Sequence, residues 1–171
     1  PSRATRYVSM TRNLMAALLY IVSCGTAYSL TLNEFIDRTQ SVIDKVDASI
    51  VYTPTECFDS KTPMLAFWAS SENIFGFCLN RLNDLGEIAK VKTVAHEAVH
   101  MAQDCKAGIN NPIIQSLMSS DEHREMVSKM EDRTLFLIED TYERREWVWE
   151  LEAFFFEDHP EHVLTLIEYY C

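Results

Sequence analysis

The spacing of apolar and polar residues along this chain predicts a mainly helical protein. Apolar side chains that recur every three or four positions form one face of an amphipathic helix. This spacing predicts five main helices, over 33–46, 87–106, 121–139, 142–156 and 161–170. The helix over 87–106 contains no proline or glycine, and Gly108 follows it as a natural stop.

Short apolar and aromatic runs between the first two helices predict β-strands. The candidates are 48–52, 64–68 and 74–79, and the polar residues 70–73 between the last two predict a hairpin turn. Strands that lie between helices in this order are typical of an α+β fold. We therefore expect a mostly helical α+β protein with a small sheet packed against the helix over 87–106.

The first 30 residues differ in character from the rest of the chain. Three arginines precede the apolar run 13–22, and small residues follow it at 23–27, as in a secretory signal. The run is shorter than the roughly 20 residues that span a bilayer. It therefore predicts an exported protein (periplasmic, secreted or membrane-attached) whose N-terminal segment contacts a membrane or a partner protein. The alternative is a packed helix in an intracellular protein or a larger assembly. Residues 31–171 form the predicted domain.

The charge of the chain bears on its partners. The 171 residues contain 15 Lys and Arg against 26 Asp and Glu, a formal net charge of −11. Nucleic-acid binding needs clustered positive charge, so this balance argues against such a partner. This excess of acidic residues is typical of a solvated acidic surface. The alternative is a functional role, a preference for basic substrates.

Cysteine content also bears on the compartment. The chain has five cysteines, and removal of the first 27 residues would leave four. Four cysteines allow two disulfides in an oxidising compartment, in any of three pairings. The alternative is four reduced, buried side chains.

The helix over 87–106 carries the most informative motif, His96-Glu97-Ala98-Val99-His100. Residues four apart lie one above the other on a helix, so both imidazoles point the same way. Two histidines in an HExxH motif can bind one Zn²⁺, and the glutamate between them can take a proton from a metal-bound water. The motif predicts a zinc hydrolase in which His96 and His100 bind the metal and Glu97 is the general base.

A catalytic zinc needs a third protein ligand and one open position. The chain lacks the third histidine of an HExxHxxGxxH pattern, so a carboxylate from a later helix is the remaining source. Glu150 is the first choice, because Ala153 lies one turn on and would let its helix approach the motif helix closely. Glu152 and Glu146 are the alternatives, and Glu152 points about 160° away from Glu150.

The motif together with the downstream Glu150 and Ala153 resembles the gluzincins, zinc metallopeptidases with a His, His, Glu zinc site. The chain is especially similar to minimal HExxH proteins of bacterial and phage genomes. The resemblance covers about 90–105 and 142–156. Two features depart from the family: position 154 is Phe, where many gluzincins carry an Asp or Asn that holds a ligand histidine, and 50 residues separate His100 from Glu150.

The resemblance implies a zincin-like fold and a peptidase that hydrolyses a peptide bond of a peptide or protein substrate. It implies one Zn²⁺ ion held by His96, His100 and Glu150, with Glu97 as the catalytic base. A further hydrogen-bond donor usually stabilises the developing oxyanion. Tyr142 is the catalytic candidate for that role, and His123 is the second candidate.

Each ligand histidine is also expected to donate its other ring N–H to a hydrogen-bond acceptor. Asp104, Asp132 and Asp140 are the candidates.

The alternative function is a catalytically silent zincin-fold module for structure or protein binding.

Overall fold

The structure is a computed structural model, and it describes residues 30–58, 64–109 and 113–171. Within these residues lie seven α-helices, three β-strands and one short 3₁₀ turn. In chain order they are α1 Leu32–Lys45, β1 Ser49–Tyr52, the 3₁₀ turn Thr55–Phe58, β2 Ala66–Ala69, β3 Ile74–Phe77, α2 Leu79–Leu82, α3 Glu87–Ala107, α4 Ser120–Lys129, α5 Asp132–Thr141, α6 Trp147–Phe156 and α7 Pro160–Tyr170. The prediction of a mostly helical α+β fold is confirmed. The segment before residue 30, with its predicted signal, lies outside the described residues.

The three strands form one small sheet in the order β1-β3-β2. β3 pairs in parallel with β1 and antiparallel with β2, which confirms the predicted hairpin. The hairpin turn ends at Asn73, whose φ of 53° lies in the left-handed region that asparagine tolerates. Gly76 faces Phe67 across the hairpin, and a Cβ there would lie 2.2 Å from the Phe67 ring. The glycine therefore makes room for this buried ring.

Helix α3, which carries the HExxH motif, is the central element of the fold. It packs against α6, α7 and β2 and also contacts α1. Three small residues that are fully buried, Ala95, Ala98 and Ala102, allow these neighbours to approach closely. Ala153 of α6 lies in the same core, as the sequence predicts for the helix that carries Glu150. The sheet does pack against the motif helix, through β2.

Two helix boundaries differ from the prediction. The expected helix over 121–139 is two helices, because Met130 and Glu131 have extended backbone that separates α4 from α5. In one straight helix Met126 and Ile138 would point about 120° apart. The break lets both side chains be buried. The helix expected over 142–156 begins only at Trp147.

The four cysteines of the described residues form two disulfides, Cys57–Cys78 and Cys105–Cys171. The first joins the 3₁₀ turn to the residue that follows β3. The second joins the last turn of α3 to the residue after α7 and closes a separation of 66 residues. Of the two alternatives that the sequence left open, the structure shows two disulfides, not four reduced cysteines, in one of the three possible pairings.

Replacement of Cys105 and Cys171 by serine should lower the free energy of unfolding by about 2–4 kcal/mol, because the bond restricts the unfolded chain. Urea unfolding of the oxidised protein and the double variant measures this loss. The matched control replaces Cys57 and Cys78, whose shorter separation of 21 residues predicts a smaller loss. Equal stability of the Cys105/Cys171 variant and the wild type would contradict the expectation.

No helix in the described residues is long and apolar enough to cross a membrane.

Candidate metal centre

Helix α3 places the two motif histidines side by side in the interior. His96 and His100 are at most 1% exposed, and their ring centroids are 5.0 Å apart. The four-residue spacing brings both Nε2 atoms to the same side of the helix. That side faces the first turn of α6.

Glu150, in the first turn of α6, lies opposite both histidines. Its carboxylate oxygens are 3.4 Å from His96 Nε2 and 3.5 Å from His100 Nε2. Two ligands of one tetrahedral ion, each bonded at about 2.0–2.1 Å, would lie about 3.3–3.4 Å apart. The ligand atoms of these three residues all lie within 4.8 Å of one another. This buried cluster could therefore hold one metal ion.

The two alternative carboxylates do not join this cluster. Glu152 is buried on a different side of α6, where it accepts hydrogen bonds from Gln103 and from the segment before α4. Glu146 precedes the first turn of α6 and accepts a hydrogen bond from the Glu143 N–H. Of the three glutamates considered from the sequence, Glu150 is the one that faces His96 and His100.

Each histidine has a second partner on its Nδ1 atom. His96 Nδ1 lies 2.9 Å from Glu157, and His100 Nδ1 lies 2.9 Å from the side-chain oxygen of Gln103. Such partners fix the orientation and the tautomer of a ligand histidine. Glu157 comes from the end of α6. Phe154, at the position where many gluzincins carry an Asp or Asn, packs edge-on against the His96 ring. The carboxylate that contacts this histidine is that of Glu157.

These partners are not the residues expected from the sequence, and that prediction is wrong. Asp104 accepts a hydrogen bond from the Trp68 indole N–H, and Asp132 and Asp140 are exposed on α5. Sequence reasoning missed Gln103 and Glu157. A local signal was available for Gln103, which follows His100 by three positions on the same helix face. Glu157 follows Glu150 by seven positions and so shares its helix face, but its contact with His96 depends on how the two helices pack.

Glu97 lies beside the cluster with one oxygen bonded and one free of hydrogen bonds. The backbone N–H of Trp68 in β2 donates to Glu97 Oε2 over 3.2 Å, while Oε1 is buried with no hydrogen-bond partner. Burial raises the pKa of Glu97 to about 8, against the lowering effect of a charged His96 and with a further increase from Glu150. A carboxyl with a pKa near neutrality can both accept and release a proton.

Tyr142 follows α5 and is only 9% exposed. Its hydroxyl makes no hydrogen bond of normal geometry. Burial, together with the charges of Glu150, Glu97 and Glu157, raises its pKa well above the usual value, so it stays a proton-bearing donor. His123 does not face the cluster, because its ring is bonded to Glu152 and Ser116. Of the two donors considered from the sequence, Tyr142 is the one beside the carboxylates.

Five buried polar atoms in this cluster and beside it have no hydrogen bond of normal geometry. They are His96 Nε2, His100 Nε2, Glu150 Oε2, Glu97 Oε1 and the Tyr142 hydroxyl. Buried polar atoms in proteins are nearly always paired, so a cluster of this kind needs an explanation. One metal ion would satisfy the two imidazoles and the carboxylate. The remaining two atoms, an acceptor and a donor, are then suited to a small polar molecule.

The metal-free site should make stability depend on pH. Burial lowers the pKa of His96, but the close carboxylate of Glu150, the hydrogen bond to Glu157 and the charges of both outweigh it and raise the pKa from its usual 6.5 to about 10. Glu97 similarly moves from 4.5 to about 8. Between pH 7 and pH 8 the folded protein therefore holds protons that the unfolded chain has lost. Stability of the metal-free protein should fall as pH rises through this window.

Urea unfolding of the metal-free protein at pH 7 and pH 8 tests this expectation. His100 opposes this trend only slightly, because burial lowers its pKa in the folded protein and the unfolded side chain has lost most of its protons by pH 7. The variant Glu97→Gln cannot ionise and should show a shallower pH dependence. Equal slopes for the variant and the wild type would contradict the assignment of this effect to Glu97.

Fold and site together define a mixed α+β protein with a buried candidate metal centre of two histidines and one glutamate. The chain belongs to the family described as a domain of unknown function (DUF8637), whose sequence model matches residues 34–171. No match was found among the curated proteins or among the solved structures.

Proposed function

We propose that this protein is a zinc-dependent peptidase with a zincin-like site. His96, His100 and Glu150 would hold one Zn²⁺, and Glu97 would act as the general base. The observation that supports this most directly is the buried cluster of His96, His100 and Glu150, whose ligand atoms all lie within 4.8 Å of one another. Beside it, Glu97 Oε1 and the Tyr142 hydroxyl are buried without a hydrogen bond of normal geometry. A structural zinc site normally has four protein ligands. Here three ligands are accompanied by an acceptor and a donor that suit a reacting water.

The donor set supports zinc over the hard cations. Two imidazoles and one carboxylate are a recurrent set in catalytic zinc sites, whereas Mg²⁺ and Ca²⁺ prefer oxygen ligands. The same set also suits Fe²⁺. The position of Glu97 beside the cluster, within an HExxH helix, favours hydrolysis by zinc.

The chain supplies the acid–base groups of a hydrolysis. A bound Zn²⁺ would supply Lewis acidity, which lowers the pKa of a water to about 7 and polarises a carbonyl. Glu97 Oε1 is free to take the proton of the attacking water and then to protonate the leaving amine. The Tyr142 hydroxyl would donate a hydrogen bond to the developing oxyanion, an interaction worth about 10²–10³ in rate.

One observation favours a second candidate function, a catalytically silent module for structure or protein binding. His96, Glu97, His100 and Glu150 are all at most 1% exposed, and strand β2 beside them is buried along its whole length. Turnover therefore requires a movement that admits substrate. Tyr142 and the preceding helix α5 are the natural moving part, because α5 packs mainly on α6.

The two disulfides bear on the compartment. Disulfides persist in oxidising environments and are rare in the cytosol. They support the proposal of an exported protein. The net charge of −11 continues to argue against a nucleic-acid partner.

The proposal is tested by metal analysis combined with cleavage of a mixed peptide library. The purified protein should contain one zinc per chain by mass spectrometry. Cleavage should stop when a chelator removes the metal and return on addition of Zn²⁺. Stoichiometric zinc without cleavage of any peptide would favour the silent module, and stoichiometric iron would contradict the zinc assignment.

A further inference from the structure

Glu152 is a fully buried carboxylate outside the metal cluster that accepts an unusual number of hydrogen bonds. Five donors surround it at 2.6–2.9 Å: Gln103 Nε2, Ser116 Oγ, the Leu117 N–H, the Met118 N–H and His123 Nε2. Both oxygens are used, since Oε2 accepts from Gln103 and Leu117, and Oε1 accepts from the other three. This set of bonds fixes the position of the carboxylate, and both of its oxygens act as acceptors.

Gln103 connects this carboxylate to the metal cluster. Its Nε2 atom donates to Glu152 Oε2 over 2.8 Å and to the Trp149 carbonyl over 3.1 Å. Both partners are acceptors only, so the amide nitrogen must face them. The amide oxygen of Gln103 therefore faces the other way, 2.9 Å from His100 Nδ1.

The orientation of Gln103 decides the tautomer of His100. An amide oxygen can only accept, so His100 Nδ1 must carry the proton. In the neutral ring the lone pair then lies on Nε2, the atom that faces Glu150. An unfixed amide could turn its NH₂ group towards His100 and favour the opposite tautomer, with the proton on Nε2.

We propose that Glu152 is a positioning residue for the metal centre, which acts through Gln103 to hold His100 in its metal-binding tautomer. The inference rests on the proposed role of His100 as a ligand. His96 receives the same support directly from the carboxylate of Glu157. The two histidines thus differ in how they are held. His96 contacts the Glu157 carboxylate directly, whereas His100 is linked to the Glu152 carboxylate through Gln103.

Two substitutions break this connection at different points. In Glu152→Gln an amide NH₂ takes the place of one carboxylate oxygen and meets two or three of the five donors. The acceptor for Gln103 is therefore lost in one orientation of the new amide and loses its charge in the other. Gln103→Leu removes the link and leaves Glu152 with four of its donors, which keeps the fold intact if the first variant is unstable. Glu168→Gln, which removes an equal charge from an exposed position of α7, is the matched control.

Zinc affinity, measured by competition with a chromophoric chelator, should fall about 10–100-fold in Glu152→Gln and in Gln103→Leu. Because both changes act through one connection, the double variant should bind zinc no more weakly than the weaker single variant. Glu168→Gln should bind as the wild type does. Unchanged affinity in both folded single variants, or losses that add in the double variant, would overturn the proposal.

Nitrogen NMR of the metal-free protein gives a readout that a general loss of stability would not produce. The wild type should show His100 with its proton on Nδ1, and both variants should show a mixture of tautomers. A single Nδ1–H tautomer in Gln103→Leu would overturn the proposal even if zinc affinity fell. If instead the protein binds no zinc at all but shows the expected tautomer change, Glu152 still fixes the His100 tautomer through Gln103, whereas the proposed function and the role at a metal centre both fail.

Discussion

Replacement of His100 by alanine is expected to abolish tight metal binding. The substitution removes one of the three side chains that converge on a single point, and the described residues contain no second group of three such side chains that could hold the ion. The loss of affinity should exceed the roughly 10–100-fold that removal of a supporting residue costs. Metal content by mass spectrometry after dialysis, and zinc affinity by chelator competition, measure the effect.

The same result is expected for His96→Ala and Glu150→Ala. His162→Ala is the matched control, because His162 is exposed on α7 and its ring stacks on Phe156 away from the cluster. It should retain one metal ion per chain. Stoichiometric metal in His100→Ala would show that the ion binds elsewhere and would remove the basis of the proposed function.

Substitution of Glu97 by glutamine should separate metal binding from catalysis. The glutamine oxygen can still accept the Trp68 N–H, and none of the three ligands changes, so zinc should stay bound. Loss of a positioned general base typically costs about 10²–10⁴ in rate. Peptide hydrolysis by the zinc-loaded variant should fall by that factor, as measured with any peptide that the wild type cleaves.

Glu87→Gln is the control for this prediction. It removes the same charge from the same helix, at an exposed position in the first turn. The control should hydrolyse peptide at the wild-type rate. Undiminished hydrolysis by Glu97→Gln would exclude Glu97 as the base and leave the mechanism without its proton acceptor.

The sequence predicted the placement of the cluster because its geometry is mostly local. Two histidines four positions apart share a helix face wherever that helix lies. The choice of Glu150 depended on one long-range assumption, that Ala153 allows α6 to approach α3. The structure places Ala153 in the shared core and brings Glu150 to within 3.5 Å of both histidines.

Other features depend on packing that the sequence does not encode locally. No proline or glycine marks the break at Met130 and Glu131, and the break follows from the burial of side chains on both sides of it. The partners of the histidine rings were also assigned wrongly. Asp104 lies one turn after His100, but the Trp68 indole takes its carboxylate, and only the tertiary structure brings Glu157 to His96.

The burial of the site was equally hidden. Nothing in the spacing of residues indicates that Tyr142 packs on Phe154 and that Phe154 packs on His96. Because these side chains bury the site, a substrate can enter only if Tyr142 and helix α5 move. The same burial leaves the catalytically silent module as a second candidate function.

Anomalous X-ray diffraction at the zinc edge, from crystals of the zinc-loaded wild type, tests the central claim most directly. The account predicts one ion per chain, bonded to His96 Nε2, His100 Nε2 and a Glu150 oxygen at about 2.0–2.2 Å. A zinc peak at any other place, or a fully loaded crystal with no peak between α3 and α6, would contradict it.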